Sequence, residues 1–145
     1  KKMVDFGLRV PRPAAARYRR TGPFYTADLI TVRLPDVRPL SAVIAETRDG
    51  EFWQGLGAAI HEFHDHGVYH ADMNAYNLQI DSNDRLWMLD FDKGRLRTAG
   101  PWQQETLRRL HRSLVKIRTL DPRLSFVESD WEALLEGYFS ASRSA

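Results

Sequence analysis

Four polar residues between positions 70 and 90 have types and spacings that could support phosphoryl transfer. Asp72 and Asn77 lie in the stretch HADMNAYN, which begins at His70, and Asp90 follows thirteen residues after Asn77. Transfer of a phosphoryl group from a nucleotide requires a carboxylate that accepts the proton of the attacking hydroxyl, together with oxygen ligands for Mg²⁺. Asp72 suits the first role, and Asn77 and Asp90 suit the second.

The surrounding elements must bring these residues to one place. Apolar residues recur with helical spacing in EFWQGLGAAIHEFHDHG, which predicts a helix ending at Gly67. After the polar loop, LQI and RLWML predict two short strands joined by residues 81–84. This hairpin would return the chain to the loop, so we expect Asp72, Asn77 and Asp90 to surround one pocket.

The pattern H-x-D-x-x-x-x-N followed by D-F-x is typical of the kinase catalytic loop and metal-binding motif. Each half of the pattern alone is weak evidence for a kinase, but the two halves together, at a spacing that fits one hairpin, are specific evidence. The alternative is a polar turn followed by an unrelated aspartate, because motif matches carry false positives. We expect His70 to brace the backbone at Asp90 rather than to act as a base.

At these residues the sequence resembles the 3-deoxy-D-manno-octulosonic acid (Kdo) kinases, relatives of the lipopolysaccharide heptose kinases. The resemblance is carried by GVYHADMNAYNLQID, WMLDFDKGRLR and WQQETLRRLHRSLVK, and it extends from about Gly7 to Tyr138. It implies an enzyme that uses ATP and Mg²⁺ to phosphorylate a hydroxyl of the Kdo sugar of Kdo-lipid A in lipopolysaccharide core biosynthesis. It also implies a peripheral location at the cytoplasmic face of the Gram-negative inner membrane.

The resemblance also assigns roles to individual residues. Asp72 becomes the catalytic aspartate, and Asn77 and Asp90 become the magnesium ligands. The backbone of Thr31, Val32 and Leu34 becomes a hinge that touches adenine.

The fold implied by the resemblance is α/β (α+β) and protein-kinase-like. Residues 1–34 would be a remnant of the N-terminal lobe, made of a helix end before Gly7, a hairpin turning at residues 21–23, and the hinge. Residues 35–145 would form the helical C-terminal lobe with the catalytic loop. The sequence has no glycine-rich phosphate loop and no strand lysine, so we expect this chain alone to be inactive, whether that lobe is absent from the protein or only from this sequence.

The acceptor is predicted to be anionic and not a peptide. Only about ten residues separate Asp90 from the next predicted helix, and no A-P-E motif follows, so little platform exists for a peptide. Arg95, Arg97 and a basic helical face could meet the Kdo carboxylate and the lipid A phosphates, because arginine pairs bidentately with such anions. That face comprises Arg108, Arg112 and Lys116 and would also favour an anionic membrane surface. We predict no nucleic-acid or protein partner.

Three alternatives stay open at this point. The acceptor could be another small molecule, such as an inner-core heptose or an aminoglycoside. The chain could also be a non-catalytic pseudokinase or a basic binding module, although a pure binder has no need for Asp72, Asn77 and Asp90 together. Asp92 could add a carboxylate near the metal or orient a turn, and Trp102 could line the acceptor groove.

Composition and short motifs limit the other classes of protein and of site that the sequence could represent. The chain has 145 residues, which fits one domain, and no cysteine, which excludes disulfides and thiolate metal sites. No apolar run approaches the roughly 18 residues of a membrane span. His61, His64 and His66 do not form H-E-x-x-H, so we favour a role at the helix end over a zinc site. Ser129 and Glu132 in SDWE predict a capping box that opens the last helix.

Overall fold

The computed structural model describes residues 2–144, and it combines helices with short antiparallel sheets as predicted. The elements in chain order are α1 Lys2–Asp5, β1 Pro13–Thr21, β2 Phe24–Thr31, β3 Arg38–Pro39, α2 Leu40–Val43, α3 Gly50–Asp65, β4 Val68–Tyr69, β5 Leu78–Ile80, β6 Leu86–Met88, β7 Arg95–Leu96, α4 Trp102–Leu120 and α5 Glu128–Ser144.

The first long helix, α3, has clear start and stop signals. The side chain of Asp49 accepts a hydrogen bond from the backbone N–H of Phe52 at 2.9 Å, which caps the N-terminus. Gly67, just after the helix, has a φ of +70°, a left-handed conformation that glycine adopts without strain. The predicted apolar face of α3 is buried in the core.

Helices α3 and α5 approach each other closely because glycine lies at both contact points. A Cβ atom on Gly57 would lie 1.9 Å from the carbonyl oxygen of Leu134, and one on Gly137 would lie 2.0 Å from that of Gln54. No side chain fits at such distances. These two glycines therefore set the spacing of the helix pair.

A buried hydrogen-bond network joins α3, α4 and α5 through His64. Its Nδ1 lies 2.8 Å from the Tyr138 hydroxyl, and its Nε2 lies 3.1 Å from Oγ1 of Thr106. Because the Thr106 hydroxyl donates to backbone carbonyls of its own helix, Nε2 donates to Thr106 and Nδ1 accepts from Tyr138. Burial lowers the pKa of His64 to about 4 and raises the pKa of Tyr138 to about 12. The network is therefore neutral near pH 7.

Two small sheets carry the loops of interest. In one, β3, β5 and β6 lie side by side, and β5 and β6 form the predicted hairpin, with Leu78 opposite Met88. In the other, β4 pairs with β7. The segment before the first hairpin also reaches this core, because Leu8 and Val10 are buried and Met88 donates a backbone hydrogen bond to Arg9.

The hairpin of β1 and β2 turns at Gly22, as predicted, with Thr21 opposite Phe24. Every residue of both strands is exposed, including Phe24 and Tyr25. Within residues 2–144 no further strand pairs with either edge. A two-stranded hairpin is marginally stable alone, so this one leaves an apolar surface and two free edges.

The predicted capping box of the last helix is wrong by two residues. Helix α5 begins at Glu128, so Ser129 already lies inside it. The reciprocal contact is made by Asp130, whose carboxylate accepts the backbone N–H of Val127 at 2.9 Å. An acidic residue at the third helical position thus performs the role expected of Glu132.

Candidate active site

Two loops come together beside the pairing of β4 and β7. The first loop leaves β4 at His70 and enters β5 after Asn77, and the second leaves β6 at Leu89 and enters β7 after Gly94. The backbone N–H of Leu89 donates to the carbonyl of Asn77 at 2.9 Å, so the ends of the two loops are tied directly. This arrangement brings Asp72, Asn77 and Asp90 to the same region, as the hairpin predicted.

His70 braces both loops, as predicted. It is fully buried, its Nε2 lies 2.7 Å from the carbonyl oxygen of Leu89, and its Nδ1 accepts the backbone N–H of Asp72 at 3.1 Å. These partners require the neutral tautomer with the proton on Nε2. Burial lowers the pKa of His70, which favours that neutral form. One ring therefore fixes the backbone at Asp72 and at the peptide that leads into Asp90.

The polar loop is further shaped by Asn74, which the sequence analysis missed. Its side-chain oxygen accepts the backbone N–H groups of Tyr76 and Asn77 at 2.9 and 3.1 Å, and its amide nitrogen donates to the Asp72 carboxylate at 3.0 Å. Asparagine commonly forms such turns, so D-M-N-A-Y-N carried a usable signal. Met73 and Ala75 are fully buried in the core and anchor the loop to it.

Asn77 and Asp90 offer oxygen atoms suited to a divalent cation. The amide nitrogen of Asn77 donates to the carbonyl of Asp72 at 2.9 Å, which leaves its side-chain oxygen without a hydrogen bond in the described chain. The Asp90 carboxylate is likewise exposed and accepts no hydrogen bond from residues 2–144. Asp90 also has a φ of +61°, a strained conformation of the kind that clusters at functional sites. Hard oxygen donors of this kind fit Mg²⁺.

Asp92 lies beside these groups but does not complete a metal cluster. Asp72, Asp90, Asp92 and Lys93 line one cleft of about 390 Å³. Across residues 2–144, no set of three or more His, Asp or Glu side chains is close enough to hold a metal ion. The backbone around Asp92 forms a turn closed by a 2.8 Å hydrogen bond from the N–H of Gly94 to the carbonyl of Phe91.

The three histidines near the end of α3 have different environments in the structure. His66 interacts with the last turn of its own helix, with Nδ1 2.9 Å from the carbonyl of Glu62. His64 is buried in the network described above. The predicted role at the helix end is therefore seen for His66, whereas His64, in the last turn, contacts other helices instead.

The predicted adenine-contacting segment follows β2. Thr31 pairs with Pro13 at the end of the hairpin, and Leu34 is half-buried. The backbone N–H of Val32 already donates to the carbonyl of Arg12 at 2.8 Å. The carbonyl groups of Val32 and Leu34 accept no backbone hydrogen bond from the described residues.

The basic side chains near the site are exposed, but Trp102 is not. Arg108, Arg112 and Lys116 lie on the outer face of α4, as predicted. Trp102, considered as one possible lining residue of the acceptor groove, is instead buried: it is 6% exposed and its indole N–H donates to the carbonyl of Thr98 at 2.7 Å. Its position in the first turn of a helix that packs on the core buries it. None of the helices within residues 2–144 has the length and apolar character needed to cross a membrane.

Comparison with known proteins gives a consistent family match. The Lipopolysaccharide kinase (Kdo/WaaP) family matches residues 1–138. Proteins named 3-deoxy-D-manno-octulosonic acid kinase are 38% identical in Vibrio parahaemolyticus over 92% of this chain, 37% in Vibrio vulnificus over 97%, and 40% in Xanthomonas euvesicatoria over 95%. The chain spans 56%, 59% and 55% of the length of these three relatives.

One solved structure also resembles the chain. The bifunctional kinase-methyltransferase WbdD superposes with a TM-score of 0.49 and 18% identity, over 94% of this chain and 32% of that one. At that score the likeness carries no argument.

Proposed function

Because the chain belongs to the lipopolysaccharide kinase (Kdo/WaaP) family, we propose that its protein is an ATP-dependent kinase that phosphorylates a hydroxyl of the Kdo sugar of Kdo-lipid A. The observation that carries the proposal is the pair of tied loops, which brings Asp72, Asn77 and Asp90 together around His70. The names of the relatives support the choice of Kdo as acceptor. Residues 1–34 and 35–145 would correspond to part of an N-terminal lobe and to the C-terminal lobe of a protein-kinase-like fold.

In the proposed reaction, the acceptor hydroxyl attacks the γ-phosphorus of ATP, a phosphate ester forms, and ADP leaves. Asp72 orients the hydroxyl and takes its proton, which then passes to solvent. Asn77 and Asp90 would hold Mg²⁺, which when bound neutralises charge on the phosphates. The backbone of Thr31, Val32 and Leu34 would contact adenine.

The acceptor is proposed to approach from an anionic membrane surface at the cytoplasmic face of the inner membrane. The exposed cations Arg108, Arg112 and Lys116 lie along one face of α4. Each basic residue near such a surface contributes about 1 kcal/mol to binding, screened by salt. Transfer to the glycolipid should therefore weaken as ionic strength rises.

Transfer of labelled γ-phosphate by the full-length protein tests the proposal. We expect transfer to Kdo-lipid A and far less to lipid A without Kdo, to free heptose or to an aminoglycoside. Asp90→Asn should abolish metal-dependent transfer while keeping the backbone, because asparagine also tolerates positive φ. Asp65→Asn, at the exposed end of α3, is the matched control and should transfer normally. Equal transfer to acceptors with and without Kdo would refute the proposed substrate.

A further inference from the structure

The side chain of Arg97 lies over the ring of Tyr69, at the end of the strand that leads into the His70 loop, without an anionic partner among the described residues. Its guanidinium carbon lies 4.2 Å from the ring centroid of Tyr69. Its side chain makes no ion pair or hydrogen bond with any residue in the described range 2–144. Stacking leaves the N–H groups at the edge of the guanidinium free to bind an anion.

The backbone position of Arg97 is set by a close approach to Gly67. The N–H of Arg97 donates to the carbonyl of Gly67 at 2.8 Å. A Cβ atom on Gly67 would lie 2.4 Å from the carbonyl oxygen of Arg97, so a side chain there would push the segment away. Gly67 also has positive φ. Two requirements for glycine at one position fix the segment after β7, which contains Arg97, against the start of β4.

The aromatic ring beneath Arg97 is itself supported. Tyr69 contacts Trp102 edge to face with centroids 5.7 Å apart, and Trp102 contacts His64 in the same way at 5.0 Å. His64 belongs to the buried network that joins α3, α4 and α5. The ring that contacts the guanidinium is therefore itself held by a series of ring contacts that continues into the core.

The ring beneath Arg97 belongs to a residue near Asp72 in the chain, and Arg97 itself lies in a cationic segment. Tyr69 precedes Asp72 by three residues, so their Cα atoms are at most about 11 Å apart. From Lys93 to Lys116 the chain has seven Lys and Arg residues and one Glu, whereas its net charge is only +2. The positive charge of the chain is therefore concentrated in the segment that contains Arg97.

We infer that Arg97, stacked on Tyr69, binds an anionic group of the acceptor. The inference rests on the proposed function and names the residue that selects an anionic glycolipid. Guanidinium groups pair bidentately with both carboxylate and phosphate. The ligand is therefore an oxyanion, either the carboxylate of the sugar or a phosphate of the lipid.

Steady-state kinetics of the full-length protein with Kdo-lipid A test the role of Arg97. In Arg97→Gln we expect KM for the glycolipid to rise about 10- to 150-fold, the range for a lost charged hydrogen bond. The KM for ATP and kcat should stay within about 3-fold, because ground-state binding alone is removed. Arg97→Lys should be intermediate, and Arg118→Gln, an exposed arginine farther along α4, should match the wild type.

Altering Tyr69 tests the stacking itself. Tyr69→Phe keeps an aromatic ring beneath Arg97 and should retain the wild-type KM for the glycolipid. Tyr69→Leu removes the ring and should raise that KM towards the Arg97→Gln value.

Two modified acceptors distinguish the sources of the anion. If the carboxylate is bound, its methyl ester should show the same KM in wild type and Arg97→Gln. If a lipid phosphate is bound, dephosphorylated Kdo-lipid A should remove the difference instead. If both acceptors retain the full difference, the inference is wrong.

Further outcomes separate this inference from the proposed function. If the wild type transfers phosphate but Arg97→Gln shifts the glycolipid KM no more than Arg118→Gln, the inference is wrong and the proposed function stands. If the wild type transfers nothing, the function is wrong. Binding of dispersed Kdo-lipid A without ATP then tests the subsite, and equal affinity of wild type and Arg97→Gln would overturn it.

Discussion

Replacing His70 by phenylalanine should destabilise the protein and impair phosphoryl transfer together. Phenylalanine keeps an aromatic ring of similar size next to Phe91, whose centroid lies 4.7 Å from that of His70. It cannot donate to the carbonyl of Leu89 or accept the N–H of Asp72. The variant therefore removes two hydrogen bonds while largely preserving packing.

The size of the effect follows from what the two partners lose. A buried polar group left without a partner costs about 1–3 kcal/mol. The Leu89 carbonyl faces a fully buried side chain and should approach the upper value, whereas Asp72 is exposed and its N–H can reach water. We expect the free energy of unfolding to fall by about 2–4 kcal/mol. Because a shift of about 1 Å in a reacting group can cost about 10²-fold in rate, kcat should fall by a similar factor.

Urea denaturation gives the free energy of unfolding, and an assay of ADP release gives kcat for the full-length protein. His61→Phe is a suitable control, since His61 is half-buried on α3 and contacts the ring of Tyr138 without a hydrogen bond of its own in the described chain. His61→Phe should change the free energy of unfolding and kcat only slightly. Both measurements should be made at saturating ATP and acceptor, so that weaker binding does not imitate a lower kcat.

A His70→Phe protein with normal kcat would refute the reasoning, because the two loops would then hold their geometry without the imidazole. Loss of activity with a new pH dependence would also contradict it. A brace that stays neutral changes kcat at all pH values, whereas a general base changes the acidic limb of the profile.

Three further changes have expected outcomes. Gly57→Ala should lower the free energy of unfolding by about 2 kcal/mol or more through overpacking. Gly55→Ala, in the same helix but with open space around the added Cβ, should raise it by up to about 1 kcal/mol. Urea denaturation measures both variants, and equal free energies of unfolding would contradict the close packing at Gly57. The pKa of His64 is about 4 in the folded protein and about 6.5 in the unfolded chain. The contribution of neutral His64 to the free energy of unfolding should therefore be fully present above pH 6.5, and about 3 kcal/mol of it should be lost as the pH drops to 4. His64→Gln should lose this part of the pH dependence in thermal unfolding, and an unchanged slope would exclude His64 as its source. Asp72→Asn should lower kcat by about 10²–10⁴-fold with little change in unfolding free energy, and normal turnover would remove it as the base.

Local patterns in the sequence were sufficient for most elements. The apolar spacing in α3 and α4, the turn glycines Gly22 and Gly67, and the short hairpin before Asp90 all reflect interactions within a few residues of the chain. The role of His70 was also predictable, because a motif fixes its distance from both loops. The assigned roles of Asp72, Asn77 and Asp90 stay predictions until the variants are measured.

The two failures have different physical causes. Trp102 follows a proline in a polar stretch, and it is buried only because α4 packs onto Tyr69 and His64, which are distant in the chain. The start of α5 depended on whether Asp130 or Glu132 reached back to the preceding backbone, and both residue types can do so.

The sequence by itself determined which chemical groups are present and how the nearest of them are spaced, because motif spacing and turn preferences are local properties of the chain. Only the tertiary structure decided that Arg97 lies over Tyr69 and that His64 bridges Tyr138 and Thr106. These contacts join residues 28 to 74 positions apart, and no local preference specifies which distant partners meet. They form because the buried faces of α3, α4 and α5 pack together, and the close approach at Gly57 and Gly137 then fixes where each side chain lies.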